Sequence, residues 1–417
     1  MKYKIYTLGC KVNQYDSCML SRKLSLNGFR EASKDTDIII VNTCAVTKIA
    51  IEKCKKIFAI ARKENPKAKS VIMGCCSKIY KENLTDLNYD MLWGVGEFDE
   101  LLEKIKKLTD FEQKKSNSLS KKEDSQIPQL KSRYFIKIQD GCEQLCSYCI
   151  VPYTRGKLKS RSALEVVEEV EKSVKNGYRE IVLSGIHLGL YGAEISSMRL
   201  SELIKMLLRV IADSRIRLSS IEISEVNDDI INLLAHDRRE GESYLCRHLH
   251  LPLQSGSNKI LKLMNRPYTK EDFIKKIKKI RKTIGDIALT TDVIVGFPGE
   301  TDDDFKETYR LLKTLKFSKI HVFPFSAHKL TPASKMKNQI GGDIKKKRAK
   351  ILRDLSVKQE KEFKNNFRGQ ILDLVVENNG EDKFLGKSEY YFNVLFSKNQ
   401  IYGDGKVREK EIIKVKI

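Results

Sequence analysis

The sequence lacks any apolar run approaching the length of a membrane span, and its opening, MKYKIYTLGCKVNQ, lacks the apolar stretch and small-residue cleavage site of a secretory signal. The expectation is a cytoplasmic chain with no membrane partner. Acidic residues are too few to balance the basic ones: 55 Asp and Glu stand against 78 Lys and Arg, a net charge of +23. Such a surplus favours a polyanion such as nucleic acid or anionic lipid, without choosing between them. A second C-x2-C pair is also missing, which removes the usual framework for a structural zinc. What remains is ten cysteines in 417 residues, and cytoplasmic thiols are kept reduced, so metal or redox chemistry is favoured over disulfides.

Short apolar runs at 3–8, 38–41 and 71–73 alternate with helical spacing over 17–26 and 51–62, the rhythm of a parallel, Rossmann-like α/β domain over residues 1–110. Residues 111–130, FEQKKSNSLSKKEDSQIPQL, lose that periodicity and read as a linker. From 131 to 342, strand-like segments recur at 134–139, 180–184, 215–222, 247–251, 288–295 and 319–325 with helices between them. Six such βα repeats predict a full or partial (βα)6 TIM-like barrel. Ser162 with Glu165 forms a capping box ahead of one helix, Gly177 follows its end, and Thr301 before three aspartates opens another.

A helix over 343–366 is expected to carry a basic face. Residues 345–368 hold ten basic and three acidic side chains, with Ile344, Ile351, Leu352, Leu355 and Phe363 at amphipathic spacing. The plainer reading is a solvated connector between domains. Residues 367–417 return to short alternating β-branched and aromatic runs broken by Asn-Asn-Gly and Gly-Asp-Gly, which predicts a small antiparallel sheet or β-barrel.

Cys142, Cys146 and Cys149 form C-x3-C-x2-C directly after a barrel strand, at the end where barrel enzymes keep their chemistry. Three thiolates leave one iron of a cubane cluster open to a small molecule. The alternative, structural zinc, needs a fourth ligand from elsewhere. Cys10, Cys44 and Cys75 are far apart in sequence, yet each follows a predicted strand (YKIYTLGC, IIIVNTC, VIMGC), so a parallel sheet would collect them at its carboxyl edge around a second cluster. The alternative is three cysteines that fall in loops by chance, and Cys76 is a substitute for Cys75. Cys18, Cys54 and Cys246 lack this context and are expected to pack as small hydrophobes. His187, His248, His250 and His321 lie on or after barrel strands, where structural histidines are the commoner outcome. Gly296, Pro298 and Gly299 form a strand-to-helix turn of the kind that admits a ligand to the backbone, although the signal alone is weak.

QDGCEQLCSYCIVPYTRG resembles the radical S-adenosylmethionine signature. TLGCKVNQYDS, VNTCAVT and GCCSK resemble the three cysteine blocks of the methylthiotransferases, and HLPLQSGS, MNRPYT and DVIVGFPGET resemble three further blocks of that family, in order over nearly the whole chain. Lys11-Val12 after the first cysteine is similar to the branch that modifies C2 of N6-threonylcarbamoyladenosine at position 37, in the anticodon loop of tRNA. The isopentenyl-adenosine branch carries Gln-Met there and the ribosomal-protein branch Pro-Lys.

The resemblance implies two [4Fe–4S] clusters and S-adenosylmethionine as cofactors, together with an electron donor and a sulfur source. The cluster at Cys142, Cys146 and Cys149 would cleave S-adenosylmethionine, while that at Cys10, Cys44 and Cys75 would carry the sulfur that is methylated and delivered. It further implies Tyr148 beside the cofactor adenine, Ser184 and Gly185 near its amino group, and a TRAM-like RNA-binding domain at 367–417. On this basis charge reversal at Lys345, Lys346, Lys347 and Arg348 is expected to weaken tRNA binding. The competing readings are a methylthiotransferase acting on another tRNA adenosine or on a ribosomal-protein side chain, and a non-catalytic RNA-binding protein with structural or redox-sensing clusters.

Overall fold

The computed structural model describes residues 1–111, 132–195, 198–235, 244–380, 382–403 and 407–417. The expected linker at 111–130 lies, after Phe111, outside the described residues. The chain forms two compact units: one takes residues 1–111 with Gly141–Glu143 and Cys149–Lys157, the other residues 132–140, Gln144–Tyr148 and the described residues from Leu158 to Ile417. None of the described helices is long and apolar enough to cross a membrane.

In the first unit, β1 (Lys2–Thr7), β2 (Arg30–Glu31), β3 (Ile38–Thr43), β4 (Lys69–Gly74) and β5 (Met91–Leu92) form an all-parallel sheet in the order β2-β1-β3-β4-β5. The run IIIVNT in β3 is buried at every position, because both faces of the sheet are covered. Ile39, Val41 and Ile72 enter one core cluster, whereas Ile38, Ile40, Val71 and Met73 enter another. The helix expected over 17–26 begins earlier, at Lys11–Leu26 with Cys10 as its cap residue. Its first turns hide Asn13, Asp16 and Ser17, polar residues that break the apolar spacing but are buried because they are bonded. Asn13 Nδ2 donates to the carbonyls of Leu8 (2.9 Å) and Thr43 (3.0 Å), and Asn42 Nδ2 donates back to the Asn13 carbonyl at 2.9 Å.

The second unit is built on β6 (Tyr134–Asp140), β7 (Lys159–Ser160), β8 (Glu180–Gly185), β9 (Arg215–Leu218) and β10 (Tyr244–Leu245), in the order β10-β9-β8-β6-β7. Beside them stand β11 (His248–His250), β12 (Ala288–Val295) and β13 (Lys319–Pro324). The strand expected over 215–222 stops at Leu218, but Ser220 continues to a parallel bridge with His250 and joins the two sheets. The strands β6-β8-β9-β11-β12-β13 are thus parallel neighbours in a curled half-barrel, as the six βα repeats require.

The basic helix runs over Gly342–Asn365 and buries Arg348, Ala349, Leu352, Leu355, Ser356 and Gln359. Ile344 and Ile351, assigned to its apolar stripe by spacing, stand exposed. Arg348, expected on the basic face, lies inside: its guanidinium donates to Glu300 Oε2 at 2.5 Å and Asp302 Oδ1 at 2.7 Å, locking the helix to the turn after β12. The Lys345 ammonium turns inward to the Phe325 carbonyl at 3.2 Å, and its stem fills the space that a side chain at Gly296 would need. Of the four residues chosen from sequence, only Lys346 and Lys347 are exposed. A polar contact can hide a cation where charge patterning places it on the surface.

The tail forms β14 (Ile371–Asn379), β15 (Phe384–Ser388), β16 (Asn393–Phe396) and β17 (Ile412–Lys416), a four-stranded antiparallel sheet in the order β16-β15-β14-β17. The strand expected from 390 starts only at Asn393, because Tyr391 turns through a left-handed conformation (φ 71°) and stacks its ring on His248 at 4.4 Å. This sheet is fastened to the half-barrel by two arginines of β9 that are fully buried. Arg215 donates to the carbonyls of Asp373 (3.0 Å) and Lys387 (2.8 Å), and Arg217 to those of Ser388 (2.9 Å) and Glu389 (2.8 Å). Glu180 of β8 lies between the two guanidinium groups, 2.6 Å from Arg215 and 2.7 Å from Arg217.

Burial pushes the Glu180 carboxyl up, but Arg217 and Arg215 outweigh it and hold the group well below the ordinary carboxylate range. Glu180→Ala leaves two desolvated cations without their anion and is expected to cost about 3–5 kcal/mol, read as a lowered unfolding midpoint of the second unit. Because the folded carboxyl titrates lower than the unfolded one, its stabilisation is present above the ordinary carboxylate pKa. It fades as pH falls towards the folded value, so the wild-type advantage over Glu180→Ala should shrink on acidification.

Candidate active site

Parallel register levels the ends of the strands in the first sheet: Thr7 lies beside Asn42, and Thr43 beside Gly74. Cys44 and Cys75 follow β3 and β4 immediately, and Cys10 comes three residues after β1. Gly9 makes this approach possible, since at φ +107° a Cβ there would lie 3.0 Å from Cys44 Cβ and 2.9 Å from Asn13 Nδ2. Burial pushes the Cys44 thiol up to about 12, and the neighbouring Cys75 and Cys10 push in the same direction. Burial likewise raises Cys75, which also feels Cys10. The three thiols thus stand at one edge of the first sheet and are of the donor type that a thiophilic centre uses.

The adjacent Cys76 is buried in the same apolar cluster as Cys75, and its thiol, raised to about 12 by burial, is pushed further in that direction by Cys54, Cys44 and Cys75. Cys54 is buried beneath the Cys44 loop, receiving the Cys44 N–H at 3.4 Å and donating to the Cys44 carbonyl at 3.6 Å. Its expected packing role is consistent with that position.

The helix Val151–Arg155, which periodicity did not reveal, brings a cation to the same edge. Arg155 is 2% exposed in its side chain and donates to Asn13 Oδ1 at 2.7 Å and Asp16 Oδ2 at 3.0 Å. Arg155 and Thr154 both hydrogen-bond Cys75, favouring its thiolate. The short Gly141–Glu143 segment joins the end of this helix through the Cys142 amide, which donates to the Gly156 carbonyl at 3.0 Å.

The C-x3-C-x2-C stretch follows β6, and its middle section is held within the second unit. Ser147 donates its amide to the Met264 carbonyl at 3.0 Å and its hydroxyl to the Leu263 carbonyl at 2.7 Å. Asn265 Nδ2 donates to the Leu145 carbonyl at 3.1 Å. Arg266 then places a guanidinium N–H 3.2 Å from Cys146 Sγ, while its other arm pairs with Glu222, which follows β9. A buried cation donating to sulfur suits a thiolate that ligates a cluster.

Tyr148 meets Phe297 edge-on, with ring centroids 6.5 Å apart, and joins an apolar cluster with Ile260, Met264 and Phe325. Ser184 is buried and donates its hydroxyl to the Ile136 carbonyl at 2.9 Å, so the hydroxyl proton of this turn is already committed. Gly185 packs against Gln139, whose Oε1 accepts the His187 amide at 2.7 Å; the His187 ring in turn meets Glu225 at 2.5 Å. At the Gly296 turn, considered as a ligand approach, the Lys345 stem occupies the space that a Cβ on Gly296 would need. Arg155, Arg266, Glu222 and Glu225 were not singled out from sequence. Arg155 and Arg266 sit inside two of the quoted blocks, TRG and MNRPYT, and that membership was the available signal.

Residues 136–312 match the radical SAM superfamily, and residues 2–94 match a family described as uncharacterized protein family UPF0004. The threonylcarbamoyladenosine tRNA methylthiotransferase MtaB of Bacillus subtilis is 35% identical over 408 residues, covering 94% of this chain and 89% of that protein. The tRNA-2-methylthio-N(6)-dimethylallyladenosine synthase of Acetivibrio thermocellus is 33% identical over 396 residues, covering 90% and 80%. Among solved structures, the radical S-adenosylmethionine methyltransferase TsrM of Kitasatospora setae, with cobalamin and a [4Fe–4S] cluster bound, superposes with a TM-score of 0.56 at 14% identity, covering 80% of this chain and 77% of that one. That likeness bears on the fold alone.

Arg155→Met removes the buried cation from Cys75, Asn13 and Asp16. In a background with Cys142, Cys146 and Cys149 replaced by Ala, it is expected to weaken iron retention at the remaining cysteines by about 10–100-fold. Iron per chain after anaerobic reconstitution and desalting measures this.

Proposed function

This chain belongs to the radical S-adenosylmethionine methylthiotransferase family, and we propose that its reaction is methylthiolation of C2 of N6-threonylcarbamoyladenosine at position 37 of tRNA, in the cytoplasm. The observation that carries the substrate is the 35% identity, spanning 94% of the chain, to a relative named for it. Lys11-Val12 in the first cysteine block supports the same branch.

Cys142, Cys146 and Cys149 would hold one [4Fe–4S] cluster and Cys10, Cys44 and Cys75 a second. When bound, these clusters and S-adenosylmethionine supply the electron, the methyl group and the sulfur chemistry of the reaction. The chain's own residues provide position and charge. Arg266 fixes the Cys146 sulfur and is itself fixed by Glu222. The Ser147, Asn265 and Met264 contacts hold the loop on which Tyr148 is presented to the cofactor adenine. The backbone of the Ser184-Gly185 turn offers polar groups to the cofactor's amino end. Arg155 favours ionisation at Cys75. An external electron donor and sulfur source complete the set of partners.

Lys346, Lys347 and Lys350 are exposed on the Gly342–Asn365 helix and would contact tRNA phosphates, leaving base selection to the half-barrel. Reversing these three charges is expected to weaken tRNA binding and to lower the slope of log affinity against log salt by about 1 for each phosphate no longer neutralised. An unchanged slope would remove this helix from the RNA interface.

Two measurements test the main reading. Iron analysis of the reconstituted protein is expected to give about eight irons per chain, falling to about four when either cysteine set is replaced by Ala. With reductant, sulfide, S-adenosylmethionine and tRNA bearing threonylcarbamoyladenosine, nucleoside mass spectrometry is expected to show the methylthio product. Formation of 5′-deoxyadenosine with no modified nucleoside would retain the radical chemistry and reject the substrate.

A further inference from the structure

The inner wall of the half-barrel carries a second group of metal-ligating side chains that the reaction above does not use. His250 of β11, Asp292 of β12 and His321 of β13 lie on adjacent parallel strands, with Asp292 directly beside His321 and His250 beside Thr290. All three are half-buried, and one ligand atom from each lies within 4.8 Å of the other two. They share the face of β12 that bears Ile294, which packs in the apolar cluster with Tyr148. The opposite face of β13 is closed by the basic helix: Ile320 and Val322 are buried, and the Ile320 amide donates to Ser356 Oγ at 2.9 Å.

We propose that His250, Asp292 and His321 bind a divalent first-row transition-metal ion, distinct from the iron of the cysteine sets. Two imidazoles and one carboxylate suit Fe2+, Mn2+ or Zn2+ and leave coordination positions for water or an oxygen donor of a substrate. His250 Nε2 is 3.2 Å from Asp292 Oδ2. Ligands about 2.1 Å from an ion in tetrahedral array are ~3.4 Å apart, so this pair already has the required spacing. The His250 and His321 rings stand with centroids 5.6 Å apart and planes tilted by 58°, so both imidazoles face the space beside Asp292.

The second observation concerns the other nitrogen of His250. Nδ1 lies 2.9 Å from the hydroxyl of Thr290, a residue 2% exposed whose hydroxyl also meets His248 Nε2 at 3.1 Å. A hydrogen bond to the distal nitrogen fixes the ring plane and tautomer of a metal-binding histidine, and here it directs Nε2 towards Asp292.

The test uses the full chain with both cysteine sets reconstituted, held anaerobically in the oxidised, EPR-silent cluster state, and titrated with Mn2+ alone. Mn2+ competes poorly for thiolates, so uptake reports oxygen and nitrogen ligands. Loss of the free Mn2+ EPR signal is expected to saturate at about one ion per chain, and electron spin-echo spectra of the bound ion are expected to show two imidazole nitrogens. Asp292→Asn and His321→Ala should weaken uptake by tenfold or more, and Thr290→Val by about 10–100-fold, with cluster absorption unchanged.

Absence of saturable uptake up to millimolar Mn2+, or uptake equal in the variants and the wild type, would overturn the site. If a variant loses its clusters through misfolding, the wild-type spin-echo spectrum decides, and bound Mn2+ without imidazole coupling rejects the proposal. None of these readouts depends on tRNA. They therefore stand apart from the success or failure of the proposed substrate.

Discussion

Parallel register is the constraint on which the chemistry of both units rests. A centre held by side chains many residues apart forms only if their loops arrive at one level, and an all-parallel sheet guarantees this by placing every carboxyl end on the same edge. In the first sheet the pairings Thr7–Asn42 and Thr43–Gly74 leave the loops that carry Cys10, Cys44 and Cys75 side by side. The half-barrel applies the same rule to the C-x3-C-x2-C stretch after β6, Glu222 after β9 and Arg266 beyond β11. A shift of one residue would turn the buried faces of these strands outward and carry the loops that follow them off the shared edge. The continuous apolar strands, which hold the register by burying both faces, therefore secure the site indirectly.

Much of this is legible in the order of the residues. The runs IIIV and VIM mark central strands because strands covered on both sides need no polar face. The cysteines that follow them mark a strand edge. What escaped was organised by polar contacts that leave no periodic signal. The Lys11–Leu26 helix hides Asn13, Asp16 and Ser17 because they bond neighbouring loops. Arg348 belongs by spacing to a basic face, yet it is drawn inward by Glu300 and Asp302. Arg215 and Arg217 occupy a short strand that reads as amphipathic, although all four of its residues are buried. In each case a charge or amide is buried because a specific partner awaits it, and that partner is distant in sequence.

The clamp at Glu180 shows how such burial can serve specificity. Two fully buried guanidinium groups reach through β9 to four carbonyls of the tail sheet, and one carboxylate compensates both. Apolar contact would bury this junction equally well, but it would tolerate sliding. Fixed carbonyl acceptors admit one seating of the tail sheet on the half-barrel, so the orientation of that sheet is set by hydrogen-bond geometry in addition to buried area.

Cys149 and Arg155 lie six residues apart on one short span, with one end in the radical signature and the other against Cys75. That span has little slack, since a five-residue helix occupies most of it. A substitution that reshapes this helix would therefore shift the backbone at Cys149 and the Arg155 guanidinium together, so the two ends of the span answer to a single change.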